Sequence, residues 1–518
     1  MHKLHILVLI AALSIGAGVR INGMAWGLPD GVHAEYSYHP DEASLLEWAS
    51  DLYHGAILSK QFIYGGTFYF TTLHAGSRLA DALSEQGRAT LRERLLVTRA
   101  TSVLCAVLTI LFTYSAAAML FTPAAGLWAA LLLALAPGHV IIAQASRPDA
   151  LFTLLLCLNL YLAARLMSDT GRAQWPLIAA GAALGVAVAT RFPAALWWLG
   201  HVAALLMSPR DTQGRWRSIA ILSGVAVLAY LVASPHSWMY YPVLLDGLAT
   251  QFSYQRGAAA SDLAGDASAW RYAGTVMAEA LGYGAYVPAY LALAMAAWRR
   301  SRADRLLAVF ALPYFLSLTS THWVVARYFV PLLPLLLIWL GALAQQGLRG
   351  ARVARMLTLA VAGLGLTVNV LAVGIYSAAL RVPDSRDRAL QWLLAHAPAG
   401  TRIGVLQGYD GDVFFHPPAI GRFRWSACAL NHCDAAELFS AQHELLVIAD
   451  TFLDEINAAG QVMKVADALA AQTGYEPLVR FSPRLKWWGY DVGPQFRTPD
   501  LRDALTTLTI YRRPAAQQ

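Results

Sequence analysis

Charge is what this sequence has least of. Of its 518 residues only 14% are Asp, Glu, Lys or Arg, while 57% are hydrophobic, and the mean hydropathy is +0.46. A water-soluble globule of this length needs more charge to cover its surface, so that class is excluded. Cysteine is scarce too, with four in all. Cys105 and Cys157 fall inside apolar runs, while Cys428 and Cys433 lie close together in a polar stretch, and no spacing suits a zinc site. A Cys428–Cys433 disulfide is expected only if that stretch lies in an oxidising compartment. There is no Walker A sequence, no glycine fingerprint after a strand and no His-Glu-x-x-His, so cytoplasmic nucleotide chemistry has no visible carrier. Inverted repeats, low-complexity segments and Asn-x-Ser/Thr sites are also lacking.

Long apolar runs are abundant. They fall at 4–26, 95–119, 124–145, 149–167, 176–190, 193–207, 218–234, 274–297, 306–321, 328–346 and 356–379. Most approach the 20 or so residues that cross about 30 Å of hydrocarbon. Two, 176–190 and 193–207, are short at 1.5 Å per residue and fit either upright spans or a re-entrant hairpin. The first run lacks a small-residue cleavage site and reads as a retained span. The net charge of +7 follows from where arginine falls, so it does not point to nucleic acid. Alternate links carry Arg172; Arg210, Arg215 and Arg217; Arg299, Arg300, Arg302 and Arg305; and Arg349, Arg352 and Arg355. The short links on the other side hold only Arg147, Arg191 and Arg327. The positive-inside bias then places the N-terminus in the cytoplasm, and loop 27–94, loop 235–273 and the tail 380–518 outside. In the tail, "DSRDRALQWLLAHAPAG" reads as an amphipathic helix, and "RIGVLQ", "ELLVIAD" and "TLTIYRR" read as strands. The expectation is an all-α polytopic membrane protein of about 11 transmembrane helices, residues 1–379, with an extracytoplasmic α/β domain over 380–518.

Three sites on the outward side could carry chemistry. The first is His39-Pro40-Asp41-Glu42, followed by Leu45, Leu46, Ala49, Leu52 and Tyr53 on one helical face. That face suits a helix lying on the membrane surface, with Asp41 either capping it or serving a site. The second is "ASRPDALF": Asp149 opens a span, with Ser146 as N-cap and Asp149 at N3, or it joins Asp41 at a pocket beside Arg147. The third is "TSTHWVVARYF", where His322, Arg327 and Tyr328 could hold a lipid phosphate or merely mark the interface. Lys60, one of only four lysines, and Arg191 are further phosphate candidates. No compact metal-ligand cluster is visible, so no cofactor is required, and a divalent metal would have to share these carboxylates.

The order of motifs resembles the GT-C glycosyltransferases. "HPDEA" follows the first span, then come "TRATSVLCAVLTILFTY", "ASRPDALF", "GAALGVAVATRFPAAL" and "RYFVPLLPLLLIWLG". Within that group the chain is similar to glycosyltransferase family 39, the protein O-mannosyltransferase and aminoarabinose-transferase-like enzymes, over roughly residues 1–380. The resemblance implies inverting transfer of a sugar from a polyprenyl-phosphate donor to a glycan, lipid or protein acceptor. It places the acidic loop residue on Asp41 with Glu42 beside it, the second acid on Asp149, and donor-phosphate contacts among Lys60, Arg191 and Arg327. Around "SKQFIYGGTFYF" the chain departs from the aminoarabinose branch, which has a proline-rich stretch there, and this leaves the acceptor and any metal ligand open. High Ala and Arg usage and the lack of Asn-x-Ser/Thr sites fit a bacterial inner membrane. A transporter or lipid flippase is the alternative, and it would bury ionisable residues in mid-span.

Overall fold

The computed structural model describes residues 2–30, 37–39, 41–169, 174–256, 269–319, 326–407, 421–429, 443–449, 474–482, 485–487, 490–492 and 506–513. His322 and Cys433 lie outside the described residues. The first helix, α1 (His2–Gly23), is followed by two helices of the first loop, α2 (Glu42–Tyr53) and α3 (Phe68–Leu83), and then by the long α4 (Leu91–Leu120). Next come α5 (Pro123–Ala134), α6 (Pro137–Ile142), α7 (Pro148–Ser168), α8 (Trp175–Thr190), α9 (Trp197–Leu206) and α10 (Thr212–Ala233). Short α11 (Pro235–Met239) and α12 (Tyr241–Arg256) precede α13 (Ala269–Leu281), α14 (Tyr283–Arg299), α15 (Arg302–Thr319), α16 (Leu332–Arg349) and α17 (Arg352–Ala379).

Among the described residues six helices are long and apolar enough to cross a membrane: Lys3–Gly23, α4, α7, α10, α16 and α17. The other expected spans are shorter or broken. The run 124–145 divides after α5, because Pro137 has no N–H to donate back and its ring crowds the preceding turn. The run 274–297 is not one straight span either: Gly274–Leu281 and Tyr283–Arg299 meet at 116°. The hinge is Gly282, at φ 83° and ψ 139°, a conformation that disfavours any residue with a Cβ. A Cβ there would also strike the Asn369 side chain, whose Nδ2 donates to Leu281 O at 2.9 Å. Gly282→Ala is therefore expected to lower stability by about 1–3 kcal/mol, read as a lower melting temperature of the detergent-solubilised protein. At α8 against α10, Gly181 and Gly185 let the backbones close up, and a Cβ on Gly185 would lie 2.3 Å from Ala226 O.

One continuous apolar core runs through these helices, with Ala129, Leu133, Leu156, Ala163, Leu184 and Leu337 among its buried members. The apolar face of α2 does not lie on a membrane surface as its pattern suggested. Leu45, Leu46, Ala49 and Leu52 are buried against Tyr69, Phe70 and Leu73 of α3 and Leu95 of α4, and only Tyr53 is exposed. The protein itself supplies the cover expected of lipid.

Beyond α17, helix α18 (Ser385–His396) packs on a five-stranded sheet. Its strands are β1 (Arg402–Gln407), β2 (Arg424–Ala429), β3 (Leu445–Ala449), β4 (Glu476–Phe481) and, after the two-stranded β5 (Leu485–Trp487) and β6 (Tyr490–Val492), β7 (Leu508–Arg512). The sheet order is β2-β1-β3-β7-β4, with β1 parallel to β2 and β3, and β7 antiparallel to β3 and β4. A separate core of Ala389, Leu390, Leu393, Ile403, Val405, Val447 and Ile510 joins helix to sheet.

Candidate active site

The site begins where the chain leaves α1. Arg99, fully buried near the start of α4, donates to the carbonyls of Met24 (2.8 Å) and Trp26 (2.6 Å), and so fixes the turn after α1. Its other nitrogens grip Glu42 in a bidentate pair, Nε to Oε1 at 2.9 Å and Nη2 to Oε2 at 2.6 Å. Glu42 also accepts the Ser37 hydroxyl and the Ser146 amide, the latter at 2.6 Å. Burial raises the pKa of this carboxyl, but Arg99 outweighs burial and holds it down to about 2. Glu42, expected beside Asp41 as a second reactive acid, is thus turned inward and bound on every side, tying the first loop to the 145–149 link.

Asp41 behaves differently. It occupies the N-cap position of α2, yet its backbone is already helical (φ −79°, ψ −18°) and its side chain makes no capping bond. The carboxylate instead faces two guanidiniums, Arg327 Nη1 at 3.2 Å and Arg147 Nε at 3.5 Å, with about a third (34%) of the side chain open. Burial among protein atoms pushes its pKa up. Arg327 and then Arg147 more than cancel that, so it lies below the usual 3.8. Capping thus does not explain this acid. His39 is buried edge-on to the Trp26 ring, 5.0 Å between centroids, within electrostatic reach of both Asp41 and Glu42.

Asp149 opens α7. The cap falls one residue later than the spacing suggested, on Arg147, because Pro148 with its fixed φ supplies the first helical position. The side chain is 1% exposed. Its Oδ1 accepts from Arg191 Nη1 at 2.8 Å, and Oδ2 has no hydrogen-bond partner among the described residues. Arg191 sits at the end of α8, with its guanidinium over the rings of Tyr328 (5.1 Å), Tyr64 (5.3 Å) and Phe152 (5.8 Å). Tyr64 lies within electrostatic reach of Arg191, Asp41, Arg327 and Asp149 together, so the two aspartates and their arginines share one neighbourhood. A cavity of about 110 Å³ adjoins it, lined by Arg191, Tyr64 and Tyr328 on its polar side and by Phe192, Leu248 and Phe252 among its apolar walls. Lys60 sits on a short 3-10 turn over Trp48, 5.1 Å from the ring centroid. No three His, Cys, Asp or Glu side chains gather as a metal site among the described residues.

ArnT from Cupriavidus metallidurans superposes in its apo state with a TM-score of 0.51 over 98% of both chains, at 14% identity. The same protein bound to undecaprenyl phosphate gives 0.51 at 15% identity, over 98% of this chain and 97% of that one. The chain has the GT-C fold. The Archaeoglobus fulgidus oligosaccharyltransferase tethered with an acceptor peptide gives 0.52 at 13% identity, over 96% of this chain and 77% of that one. In sequence, a family model described as dolichyl-phosphate-mannose-protein mannosyltransferase matches residues 89–239. Comparison with curated protein sequences finds no match. The matched segment contains Arg99, Arg147, Asp149 and Arg191 of the candidate site, while Asp41 and Arg327 lie outside it. Two of the site's members went unnoticed in the sequence. Arg99 carried a signal, a lone charge inside an apolar run; Tyr64 carried none.

Proposed function

We propose that the protein is an inverting glycosyltransferase that moves a sugar from a polyprenyl-phosphate donor to an acceptor at the outer face of the membrane. The observation that carries this is the meeting of Asp41 and Asp149 with Arg147, Arg191 and Arg327 beside a cavity that is polar at one side and apolar elsewhere. A lipid phosphate asks for that combination, cations for its head and apolar walls for its tail. The undecaprenyl phosphate in the ArnT structure supports the same donor class.

In this reading Asp41 takes the acceptor's proton as the acceptor oxygen attacks the anomeric carbon. The bond from that carbon to the phosphate oxygen breaks, and polyprenyl phosphate leaves with the electron pair. Arg327 and Arg191 stabilise the charge that grows on the leaving phosphate, so no general acid is needed. Asp149 uses its buried, unpartnered Oδ2 to accept a hydroxyl of the acceptor or the sugar. Glu42 acts by position, holding Asp41 through its clamp on Arg99. Lys60, His39 and Tyr328 are secondary contacts, and a divalent metal, if used, would be held by the carboxylates of Asp41 and Asp149 and would supply positive charge against the leaving phosphate. Residues 1–379 form the catalytic part and 380–518 the extracytoplasmic α/β domain. The N-terminus is cytoplasmic, as the arginine-rich links support, and the membrane is a bacterial inner membrane.

The donor also tunes the base. Arg327 pairs with Asp41 while the donor is absent. A donor phosphate that recruits Arg327 removes the main charge depressing the Asp41 pKa, and so makes the carboxylate a stronger base when it is needed. Arg327→Ala is accordingly expected to raise the Michaelis constant for the lipid donor more than it lowers kcat; an unchanged Michaelis constant would oppose the assignment. In the free enzyme Asp41 must be ionised to act, and its pKa is lowered from 3.8. The acid limb of kcat/KM should therefore lie below pH 3.8 and move upward in Arg147→Ala. The deciding experiment gives purified protein a labelled polyprenyl-phosphate sugar and acceptor-containing membranes. Consumption of the lipid-linked sugar with release of polyprenyl phosphate supports the transferase, and transbilayer movement of intact donor without cleavage supports a flippase instead.

A further inference from the structure

A second cavity, of about 440 Å³, lies at the opposite end of the bundle from the acids. Helix α7 starts at Pro148 and Asp149 in the candidate site, and Met167 near its other end lines this cavity. Helix α16 likewise starts just after Arg327 and Tyr328 and ends at Arg349 in the cavity wall. At 1.5 Å per residue each runs roughly 26–28 Å, close to one hydrocarbon thickness. The cavity therefore sits at headgroup depth in the other leaflet.

Its walls are cationic, and among the described residues no Asp or Glu lines it. Arg299 is neutralised by Asp304, Nε to Oδ2 at 2.7 Å and Nη2 to Oδ1 at 2.5 Å, and its guanidinium lies over Phe121 at 5.1 Å. Arg302 and Arg349 have no carboxylate partner among the described residues. Gln345, 7% exposed, fixes Arg349: with its carboxamide turned to satisfy both neighbours, it donates to Thr122 and accepts from the Arg349 guanidinium at 3.0–3.2 Å. The positive end of α15 opens at Arg302 on the same space. Two uncompensated guanidiniums, a buried amide that orients one of them, and apolar walls at Phe121 and Met167 make a phosphate site with a place for acyl chains.

We propose that this cavity binds the phosphate headgroup of an anionic phospholipid, remote from the donor and independent of the transfer reaction. The test uses the full-length protein in mixed micelles of phosphatidylglycerol and phosphatidylcholine, with retained lipid counted by native mass spectrometry. Wild type is expected to retain phosphatidylglycerol about thirtyfold over phosphatidylcholine, roughly what two arginines supply against a net negative headgroup at the membrane surface. Arg302→Ala with Arg349→Ala should bring the two to parity, and Arg302→Lys with Arg349→Lys should keep most of the preference. Equal retention of both lipids by wild type, or an undiminished preference in the alanine pair, overturns the proposal. Displacement of the lipid by an equal concentration of inorganic phosphate overturns the lipid assignment in favour of a free oxyanion site. If the alanine pair does not fold, the wild-type comparison and Arg349→Gln alone decide.

Discussion

Asp41→Asn is expected to lower sugar transfer by about 10²–10⁴-fold, the usual contribution of a positioned general base. The substitution keeps the size of the side chain and its place at the head of α2, but it cannot accept a proton from the acceptor. It also removes the counter-charge that Arg327 (3.2 Å) and Arg147 (3.5 Å) now face. Both guanidiniums are then freer for the donor phosphate, so the Michaelis constant for the lipid donor should fall or hold while kcat collapses. That split separates a chemical role from a structural one, because a misassembled loop would weaken donor binding as well. The melting temperature should stay near wild type, since Asp41 makes no capping bond and its side chain is partly open. Transfer by Asp41→Asn at the wild-type rate would remove this residue from the mechanism.

Asp149 should respond less steeply and in a different parameter. Its Oδ1 is committed to Arg191, and Oδ2 is buried without a partner among the described residues. Asp149→Asn weakens the hold on Arg191 and blunts acceptance of a hydroxyl, so it is expected to raise the Michaelis constant for the acceptor and to lower kcat by less than Asp41→Asn does.

What the sequence made legible follows the range of the forces involved. Asp41 and Asp149 stood out because an acid at the end of an apolar run is conspicuous locally, and both readings, cap or site, could be stated from neighbours alone. The choice between them depended on partners far along the chain. Arg327 lies nearly three hundred positions from Asp41, and Arg191 reaches Asp149 across 42. No periodicity encodes such pairings. The apolar runs likewise marked where the chain is lipid-compatible, but a hydropathy window averages over a single hinge, so the bend at Gly282 was hidden inside 274–297. Pro137 breaks the run 124–145 in the same way, and the run's unbroken apolar character conceals it. In the tail, β1, β3 and β7 were visible as alternating or apolar runs. Their order was not, because β7, last in the chain, is inserted between β3 and β4. Glu42 shows the same limit at one residue's distance: beside Asp41 in sequence, it faces the opposite way because Arg99 draws it inward.

That clamp carries the largest expected effect on stability. Glu42 and Arg99 are both fully buried, and removing one partner leaves an uncompensated charge away from water. Glu42→Ala is expected to cost about 3–5 kcal/mol on that ground. Arg99→Ala should cost at least as much, because it also releases the Met24 and Trp26 carbonyls. The double variant should lose clearly less than the sum of the two, since neither charge is then stranded. Acid acts on the same contact. The Glu42 carboxyl titrates at about 2 when folded against an ordinary 4.5, so its stabilisation is complete above pH 4.5 and fades as the pH falls from there toward 2. Unfolding of the detergent-solubilised protein, followed across that window, should show wild type losing more stability than Glu42→Gln, which is already without that charge and keeps only the decline owed to the other depressed carboxyls, Asp41 among them. A parallel decline in both would place the acid-sensitive contact elsewhere. Because Glu42 also accepts the Ser146 amide, these variants loosen the link that holds Arg147 against Asp41. Transfer should therefore fall in all of them with the donor's Michaelis constant rising, the opposite of the split expected for Asp41→Asn.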